Sequence, residues 1–299
     1  FVRMFRVSLS SLYALLHLFH PPPDSSSPSS PPSSSSPSPS PLVDAPSVSS
    51  PSPPQDSLLF PPSSSSLSSP LMPVLHSRQS PINIDTKSLH SRKTNPLSIR
   101  FIKGDCIEVN TGEDGAWHVT TRAHTTSALI GTHLPGSYRL AQFHAHWGGS
   151  EHTIDGRKFD AEFHFVYWNT RYHTPEEATK HGDGYAVLAV FVEKGKENGE
   201  FNKLLDLIEE SRSRKRHVRM PLNFDPAELI PRNASSHYYT YLGGLTTPPY
   251  SECVIWTLLC TPITLSETQL GRLSKLTKQN CRACQKLHGR SVMDCKSVV

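Results

Sequence analysis

The chain has 299 residues, of which 36% are hydrophobic and 19% are charged, and its formal net charge is +4. So small a net charge gives no reason to expect nucleic acid as a partner. Serine and proline make up 38 of the 50 residues from 21 to 70, which leaves too few apolar side chains to form a core, so we predict disorder over residues 21–76.

The first twenty residues resemble part of a signal peptide. Arg3 and Arg6 precede a mainly apolar run, but serines and His17 interrupt it, which makes the run too short and too polar to span a bilayer. The length of the remainder fits one folded domain. The predicted organisation is a signal-like or misassigned segment at 1–20, a disordered segment at 21–76, a folded domain at 77–292 and a tail at 293–299.

The body of the chain has the sequence pattern of β-strands separated by turns. Short runs rich in Val, Ile, Phe, Tyr and Thr alternate with turn signals such as Asn110-Thr111-Gly112 and Asp155-Gly156. Helical patterns are few and cover Phe201–Glu210 and Glu267–Lys275. We therefore predict a mostly β domain. Its strands include Leu97–Ile102, Tyr138–Trp147, Ala161–Trp168, Tyr185–Val192 and Cys253–Leu259.

Two of these strands carry histidines at alternating positions. Gln142, His144 and His146 point to one side of the first strand, and Glu162 and His164 do the same on the second. If the two strands pair antiparallel, the three imidazoles converge. Three neutral imidazoles suit a zinc ion and leave its fourth tetrahedral position open, which is typical of a catalytic site.

A pair of histidines two residues apart is weak evidence for a metal, because strand histidines are often simply packed side chains. Gln142 and Glu162 strengthen the evidence, since each precedes a candidate ligand by two residues on the same face. A metal-bound imidazole needs an acceptor of this kind for its other N–H. The pattern therefore favours a metal site.

The connection between the two strands must adjust their register. A strict two-residue hairpin about Asp155-Gly156 would place His146 opposite Phe165, one residue out of step. We therefore expect a bulge or a longer loop, with Gly148-Gly149 as its place.

A second metal site is compatible with part of this pattern. His144, His146 and Glu151, with Gly156 beyond them, resemble a cupin signature, in which two histidines and a glutamate bind iron or manganese in a jelly roll. The glycine spacing differs from that signature, and the sequence has no second cupin motif. The remaining motifs of the chain decide against it.

Five motifs follow one another along the chain. They are Gln79-Ser80-Pro81-Ile82-Asn83-Ile84, Ala141-Gln142-Phe143-His144-Ala145-His146-Trp147-Gly148, Ser150-Glu151-His152-Thr153-Ile154-Asp155-Gly156, Ala161-Glu162-Phe163-His164 and Leu245-Thr246-Thr247-Pro248-Pro249. In this order they resemble the α-class carbonic anhydrases, over about residues 77–292. The resemblance implies a large, twisted, predominantly antiparallel central sheet with few peripheral helices. It also implies zinc-dependent, reversible hydration of carbon dioxide to bicarbonate and a proton, by attack of zinc-bound hydroxide.

The resemblance assigns roles to individual residues. It implies that His144, His146 and His164 bind the zinc ion. It also implies that Gln142 and Glu162 accept hydrogen bonds from ring nitrogens that do not bind the zinc ion.

The catalytic pair implied by the resemblance is Thr246 and Glu151. Thr246 would accept a hydrogen bond from zinc hydroxide and donate its own proton to Glu151, which orients the lone pair that attacks carbon. A further group matches the apolar pocket where carbon dioxide waits: Val166, Val187, Leu245, Thr247, Val254 and Trp256.

The chain departs from the family at the proton shuttle, which is usually a histidine at the cavity rim. The matching position holds Glu113 or Gly115, depending on the alignment, and neither is histidine. His118 and His124 are nearby substitutes, so the shuttle residue is unknown. The aromatic segment that usually precedes Gln79 and a loop before residue 280 also differ from the family.

The cysteines indicate a reducing compartment. Secreted members of the family commonly join a cysteine before the Gln79 motif to one just after Pro248-Pro249, but here no cysteine precedes Cys106 and Tyr250 follows the prolines. We therefore predict a cytoplasmic location, with secretion as the alternative, and glycosylation at Asn233 stays open. The predicted partner is the small substrate, carbon dioxide or bicarbonate. We expect a monomer.

Two other function classes remain open at this point. Acatalytic carbonic-anhydrase-related binding modules typically lack a ligand histidine, and all three are present here. The Ser/Pro-rich segment could tether the domain to a partner, which would add to catalysis without replacing it.

Overall fold

A computed structural model of the chain describes residues 78–112, 115–276 and 280–297. The predicted disordered segment and the signal-like start therefore lie outside the described residues, as does Glu113. The described residues form a mostly β fold built on a large twisted sheet of twelve strands, with a second sheet of two strands beside it. This is the fold class that the sequence predicts.

The regular elements are short at both edges of the large sheet and long at its centre. The strands are β1 Asn83–Ile84, β2 His90–Thr94, β3 Ser98–Arg100, β4 Cys106–Thr111, β5 Trp117–Thr121, β6 Ala128–Ile130, β7 Tyr138–Trp147, β8 Thr153–Ile154, β9 Ala161–Asn169, β10 Tyr185–Lys194, β11 Val218–Arg219, β12 His237–Gly243, β13 Val254–Leu265 and β14 Met293–Ser297. The α-helices are α1 Pro175–Ala178, α2 Gly199–Arg214 and α3 Glu267–Leu276.

The large sheet runs in the order β11-β4-β5-β7-β9-β10-β13-β12-β14-β2, and β6 joins β3 to β7. Two of its pairings, β10 with β13 and β14 with β2, are parallel, and the others are antiparallel. The predominantly antiparallel sheet is therefore confirmed. The two-stranded sheet pairs β1 with β8 in parallel, and it holds the chain near Asn83 against the loop that follows β7.

The central strands separate two apolar layers. Every residue of β9 is buried, because its alternate side chains pack into opposite layers. Phe163 and Phe165 contribute to one layer, which helix α2 covers, while Val166 contributes to the other. Since side chains alternate, His164 lies on the same face as Val166. The candidate metal centre therefore adjoins the second layer.

Helix α2 is longer than its predicted core of Phe201–Glu210. Asn198 caps it, because its side chain accepts a hydrogen bond from the Phe201 amide at 3.0 Å, and Lys215 ends it in the left-handed conformation. Arg212 and Arg214 therefore lie in the last helical turn, where cations interact favourably with the helix dipole.

All six cysteines lie among the described residues, and Cys106, Cys253, Cys260, Cys284 and Cys295 are free thiols. Cys281 and Cys284, the pair with CxxC spacing, donate weak hydrogen bonds to separate main-chain carbonyls, of Gly149 and Glu151. Within the described ranges, no helix is long and apolar enough to cross a membrane.

His133 joins the loop before β7 to β13 and β12, two strands that lie beyond β9 and β10 in the order of the sheet. Its Nε2 lies 2.8 Å from the hydroxyl of Thr257 in β13, and its Nδ1 lies 3.2 Å from the hydroxyl of Tyr238 in β12. Burial, with the charge of Arg92 acting in the same direction, lowers the pKa of His133 from 6.5 to about 4. The imidazole is therefore neutral in the folded protein at neutral pH.

Acidification should destabilise the metal-free protein partly through this residue. Between pH 6.5 and about pH 4 the unfolded chain binds a proton on His133 that the folded chain does not bind, so the free energy of unfolding falls as the pH falls. We predict that His133→Gln flattens this pH dependence and that His90→Gln, at an exposed position of β2, leaves it unchanged. Urea unfolding at several pH values measures the slope, and equal slopes in the wild type and His133→Gln would contradict the prediction.

Candidate metal centre

The register between β7 and β9 brings the three predicted histidines together. His144 lies directly opposite His164, and His146 lies opposite Glu162. The pairing shifts by one residue between Leu140 and Gln142, which is a bulge in β7. A one-residue slip would have turned the histidines to the opposite face, so the register decides whether the site exists.

The loop from 148 to 160 joins the two strands, which confirms the expected longer connection. Gly148 and Gly149 have φ angles of 76° and 123°, a backbone conformation that favours glycine. Asp155 and Gly156 still form a tight turn within this loop, since Ile154 and Arg157 exchange main-chain hydrogen bonds on either side of it. The predicted turn is therefore present, although it does not connect β7 directly to β9.

The three imidazoles form a compact cluster. Their ring centroids are 5.1 Å apart for His144 and His146, 5.3 Å for His144 and His164, and 4.7 Å for His146 and His164. Each histidine offers one ring nitrogen to the centre, and these nitrogens lie within 4.8 Å of one another. His146 and His164 are buried and His144 is half-buried, so the cluster meets solvent on the side of His144.

The other ring nitrogen of each histidine faces a hydrogen-bond acceptor. His144 Nδ1 lies 2.9 Å from Gln142 Oε1, and His164 Nε2 lies 2.8 Å from Glu162 Oε1, as the sequence predicts. Because an amide oxygen and a carboxylate only accept hydrogen bonds, these nitrogens carry the proton. His144 Nε2 and His164 Nδ1 are then left as lone-pair donors toward the centre.

The acceptor for His146 is a main-chain carbonyl that the sequence analysis missed. His146 Nδ1 donates to the carbonyl oxygen of Asn280 at 3.0 Å. The Asn280 side chain secures this contact, because its amide bonds to the main chain of Ala145 and Trp147, each at 3.3 Å. His146 Nε2 is buried and has no hydrogen-bond partner among the residues that the structure describes. Such an orphaned nitrogen fits a metal ligand.

Glu162 belongs to a buried chain of hydrogen bonds that the sequence analysis did not foresee. Its carboxylate accepts from the amide and from Nδ1 of His152, at 2.8 and 2.7 Å. His152 Nε2 lies 2.7 Å from the hydroxyl of Tyr241, which lies 2.8 Å from the hydroxyl of Ser80. His152, Glu162 and His164 also come close enough to hold a metal, but hydrogen bonds within this group already join them.

Burial and neighbouring charges set the ionisation of the site. Burial lowers the pKa of His144 well below its usual range, and the adjacent imidazoles of His146 and His164 act in the same direction. Burial also lowers the pKa of His146. For Glu162, burial opposes ionisation, but His152 and His164 outweigh it and hold the pKa well below its usual range. His144 and His146 are therefore neutral and Glu162 is ionised, as a metal site requires.

Glu151 lies beside the cluster. Its Oε1 accepts a hydrogen bond from the Arg282 amide at 2.8 Å, and its Oε2 lies 3.4 Å from His146 Nε2 and 4.0 Å from His164 Nδ1. Within the described part of the chain, Oε2 has no hydrogen-bond partner. The bond from the Thr246 hydroxyl that the resemblance implies is therefore not formed, because Oε2 is directed toward the imidazoles instead.

The predicted pocket residues adjoin the histidine cluster. Val166, Val187 and Trp256 lie side by side on β9, β10 and β13 in direct register, and the Trp256 ring centroid is 4.9 Å from that of His164. Leu245 and Val254 are buried in the same apolar layer. Thr246 and Thr247 are half-buried in the loop after β12.

The candidate proton carriers lie at different places. Gly115 has no side chain, and His124 is exposed in the turn after β5. His118 lies on β5, two residues from Thr120, which pairs with Gln142. Burial lowers the pKa of His118 to about 4, so this imidazole stays neutral at physiological pH.

Comparisons with known proteins agree with the geometry. The family described as eukaryotic-type carbonic anhydrase matches residues 71–296. The chain is 40% identical to carbonic anhydrase 3 of Homo sapiens over 204 residues, which is 66% of this chain and 77% of that protein. It is 37% identical to carbonic anhydrase 3 of Equus caballus over 231 residues, or 72% and 88% of the two chains. Carbonic anhydrase 7 of Homo sapiens is 39% identical over 206 residues, or 67% and 77%.

Metal content should depend on the cluster in a graded way. We predict that His144→Ala abolishes stoichiometric zinc binding, because it removes one of three ligands, and that Gln142→Ala weakens zinc binding about 10- to 100-fold, because it frees the His144 ring. His181→Ala, which removes a half-buried imidazole stacked on Tyr172, serves as the control. Elemental analysis after dialysis against a chelator measures the effect. Stoichiometric zinc in His144→Ala would contradict the assignment.

Proposed function

The chain belongs to the eukaryotic-type carbonic anhydrase family, and from this premise we propose that it binds one zinc ion at the histidine cluster and hydrates carbon dioxide there. Membership makes it a carbonic anhydrase enzyme, for which carbon dioxide and bicarbonate are the substrates. The observation that carries the zinc site is the set of three ring nitrogens within 4.8 Å of one another, backed by acceptors on the far side of each ring.

The residues present fit zinc by their chemistry. Three neutral nitrogen donors match its preference and leave a fourth position for a reacting group. The buried, unbonded Nε2 of His146 supports the same conclusion, since such an atom is otherwise costly to bury. When bound, zinc would supply a Lewis acid that lowers the pKa of water to about 7, which is an established property of carbonic anhydrases in general.

Thr246 and Glu151 are the proposed orienting pair. Glu151 Oε1 is held by the Arg282 amide, and Oε2, which has no hydrogen-bond partner in the described structure, would accept a hydrogen bond from the Thr246 hydroxyl after turning away from the imidazoles. With its own proton donated to the carboxylate, the hydroxyl can only accept from the nucleophile, which fixes the direction of the attacking lone pair. This is a positioning effect on the transition state.

The apolar wall of Val166, Val187 and Trp256 suits a substrate without net charge or dipole. Its side chains offer carbon dioxide a surface that binds water poorly, next to the histidine cluster. Thr247, Leu245 and Val254 extend the proposed pocket. The charged product gains nothing from this surface, so bicarbonate leaves it readily.

Two alternatives lose support. A cupin-like metal protein does not agree with membership in the carbonic anhydrase family. An acatalytic binding module does not explain why all three histidines, with their acceptors, are present. A cytoplasmic location and a monomeric state remain proposals, and the free thiols of Cys106, Cys253, Cys260, Cys284 and Cys295 support the first.

Removing the Thr246 hydroxyl should separate catalysis from metal binding. We predict that Thr246→Ala lowers kcat/KM for carbon dioxide about 100-fold, the usual cost of losing one preorganised hydrogen bond. Zinc content should stay at one per chain, because the hydroxyl does not hold the metal. Thr246→Ser, which keeps the hydroxyl, is the matched control and should retain most of the activity. Stopped-flow hydration measures the rates, and a wild-type rate in Thr246→Ala would remove this pair from the mechanism.

Proton release should limit turnover. Glu113 is a weak relay, because a carboxylate with a pKa near 4.3 is rarely protonated at neutral pH, and the low pKa of His118 makes it an equally weak one. We predict that the maximal rate rises steeply with imidazole-type buffer concentration while kcat/KM stays nearly constant. Glu113→His should raise the maximal rate at low buffer, whereas Asn223→His, in an exposed turn and not among the proposed pocket residues, should not. A buffer-independent wild-type rate would show that another group carries the proton.

A further inference from the structure

One irregular segment supports the site from outside the sheet. Residues 280–285 lie along the end of β7 and the loop that follows it. The Asn280 carbonyl accepts from His146, the Arg282 amide donates to Glu151, and the Gln285 amide donates to the Pro81 carbonyl at 2.7 Å. Two main-chain groups of this segment, two residues apart, therefore contact a candidate zinc ligand and a candidate catalytic carboxylate.

Glu151 depends on this segment for its orientation. The carboxylate is 1% exposed, and the Arg282 amide is its hydrogen-bond donor at 2.8 Å. Its other oxygen has no partner in the described ranges. A carboxylate held through one oxygen can rotate about that bond, so any displacement of the Arg282 main chain moves the oxygen that faces the cluster.

The Arg282 side chain fixes the position of that main chain. Its Nη1 donates to the carbonyl oxygen of Ser80 at 2.7 Å, and its guanidinium lies 3.8 Å from the centroid of the Tyr250 ring. The Tyr250 amide donates to the Thr247 carbonyl, so the ring belongs to the same loop as Thr246. A planar guanidinium can stack on a ring and bond to a carbonyl at once, which an ammonium group cannot do.

We propose that Arg282 is a positioning residue, which sets the Glu151 carboxylate relative to the loop of Thr246. The inference rests on the proposed function, since it gives Glu151 and Thr246 their roles. Arg282 touches neither the substrate nor the histidines, and it acts through the amide that Glu151 accepts from. Its influence on the reaction should therefore disappear when Glu151 can no longer orient Thr246.

Arg290 provides a matched control. Its guanidinium also binds a main-chain carbonyl next to Ser80, that of Gln79 at 2.8 Å, and it lies over the ring of Tyr241 at 5.5 Å. Both arginines are half-buried and tie the C-terminal part of the domain to the segment around Gln79. Arg290 makes no contact with Glu151 in the described structure. Its variant therefore measures the effect of losing a stabilising arginine without disturbing the position of Glu151.

The test compares Arg282→Ala, Arg282→Lys and Arg290→Ala in the full chain. We expect Arg282→Ala to keep one zinc per chain and to lower kcat/KM for carbon dioxide about tenfold, because small misplacements of catalytic groups suffice for such losses. Arg282→Lys should recover part of the loss, since an ammonium can still bond to the Ser80 carbonyl. Arg290→Ala should change kcat/KM less than twofold per bound zinc, whatever its effect on unfolding.

A second measurement does not depend on activity. In the metal-free protein, the amide of residue 282 should exchange its hydrogen at least several-fold faster in Arg282→Ala than in the wild type, because its bond to Glu151 is loosened. The same amide should be unaffected in Arg290→Ala. Unchanged exchange together with unchanged kcat/KM in Arg282→Ala would overturn the proposal.

A double-mutant cycle with Glu151→Gln tests the route of the effect. If Arg282 acts through Glu151, Arg282→Ala should cost little more in the Glu151→Gln background than Glu151→Gln costs alone. A full tenfold loss in that background would overturn the positioning role. Should Arg282→Ala fail to fold, Arg282→Lys enters the same cycle with a smaller expected loss. A wild-type chain without zinc or without hydration activity would instead refute the proposed function, so the two failures are distinguishable.

Discussion

Each clustered histidine has one ring nitrogen bonded to an acceptor, and this bond turns the other nitrogen toward the same point. Without the acceptors, His144, His146 and His164 could rotate or shift their protons, and the cluster would be an ordinary group of buried imidazoles. Two acceptors, Gln142 and Glu162, come from the strands that carry the histidines. The remaining features of the site, from the bulge in β7 to the loop beyond it, keep these pairs in place.

The support around the cluster continues for several contacts into the domain. A chain of hydrogen bonds joins Glu162 to Ser80 through His152 and Tyr241, and Ser80 lies in the first described part of the chain. Ser80 also presents its carbonyl to Arg282. One short stretch near the beginning of the domain therefore braces both sides of the centre, which explains why that motif accompanies the histidine motifs in the sequence.

The sequence predicts what depends on local periodicity. The alternation along β7 and β9 is enough to predict that Gln142 and Glu162 share a face with the histidines, and the apolar runs predict the long central strands. It does not predict Asn280, because a main-chain carbonyl carries no residue-type signal and the contact spans 134 positions. The sequence also does not predict that β10 pairs with β13 in parallel, because no local pattern reveals which distant strand is the neighbour. The direction of Glu151 Oε2 depends on the packed environment as a whole.

The distance along the chain between His146 and Asn280 has a consequence for how the protein matures. A hairpin of β7 and β9 would bring the three imidazoles together by local contacts, before residue 280 is in place. Under the proposed function, a metal ion held by such a precursor would stabilise incompletely folded chains as well as the native state, which would reduce the net stabilisation from the metal. The order of events during folding therefore matters, because His146 gains its acceptor only when residue 280 reaches the end of β7.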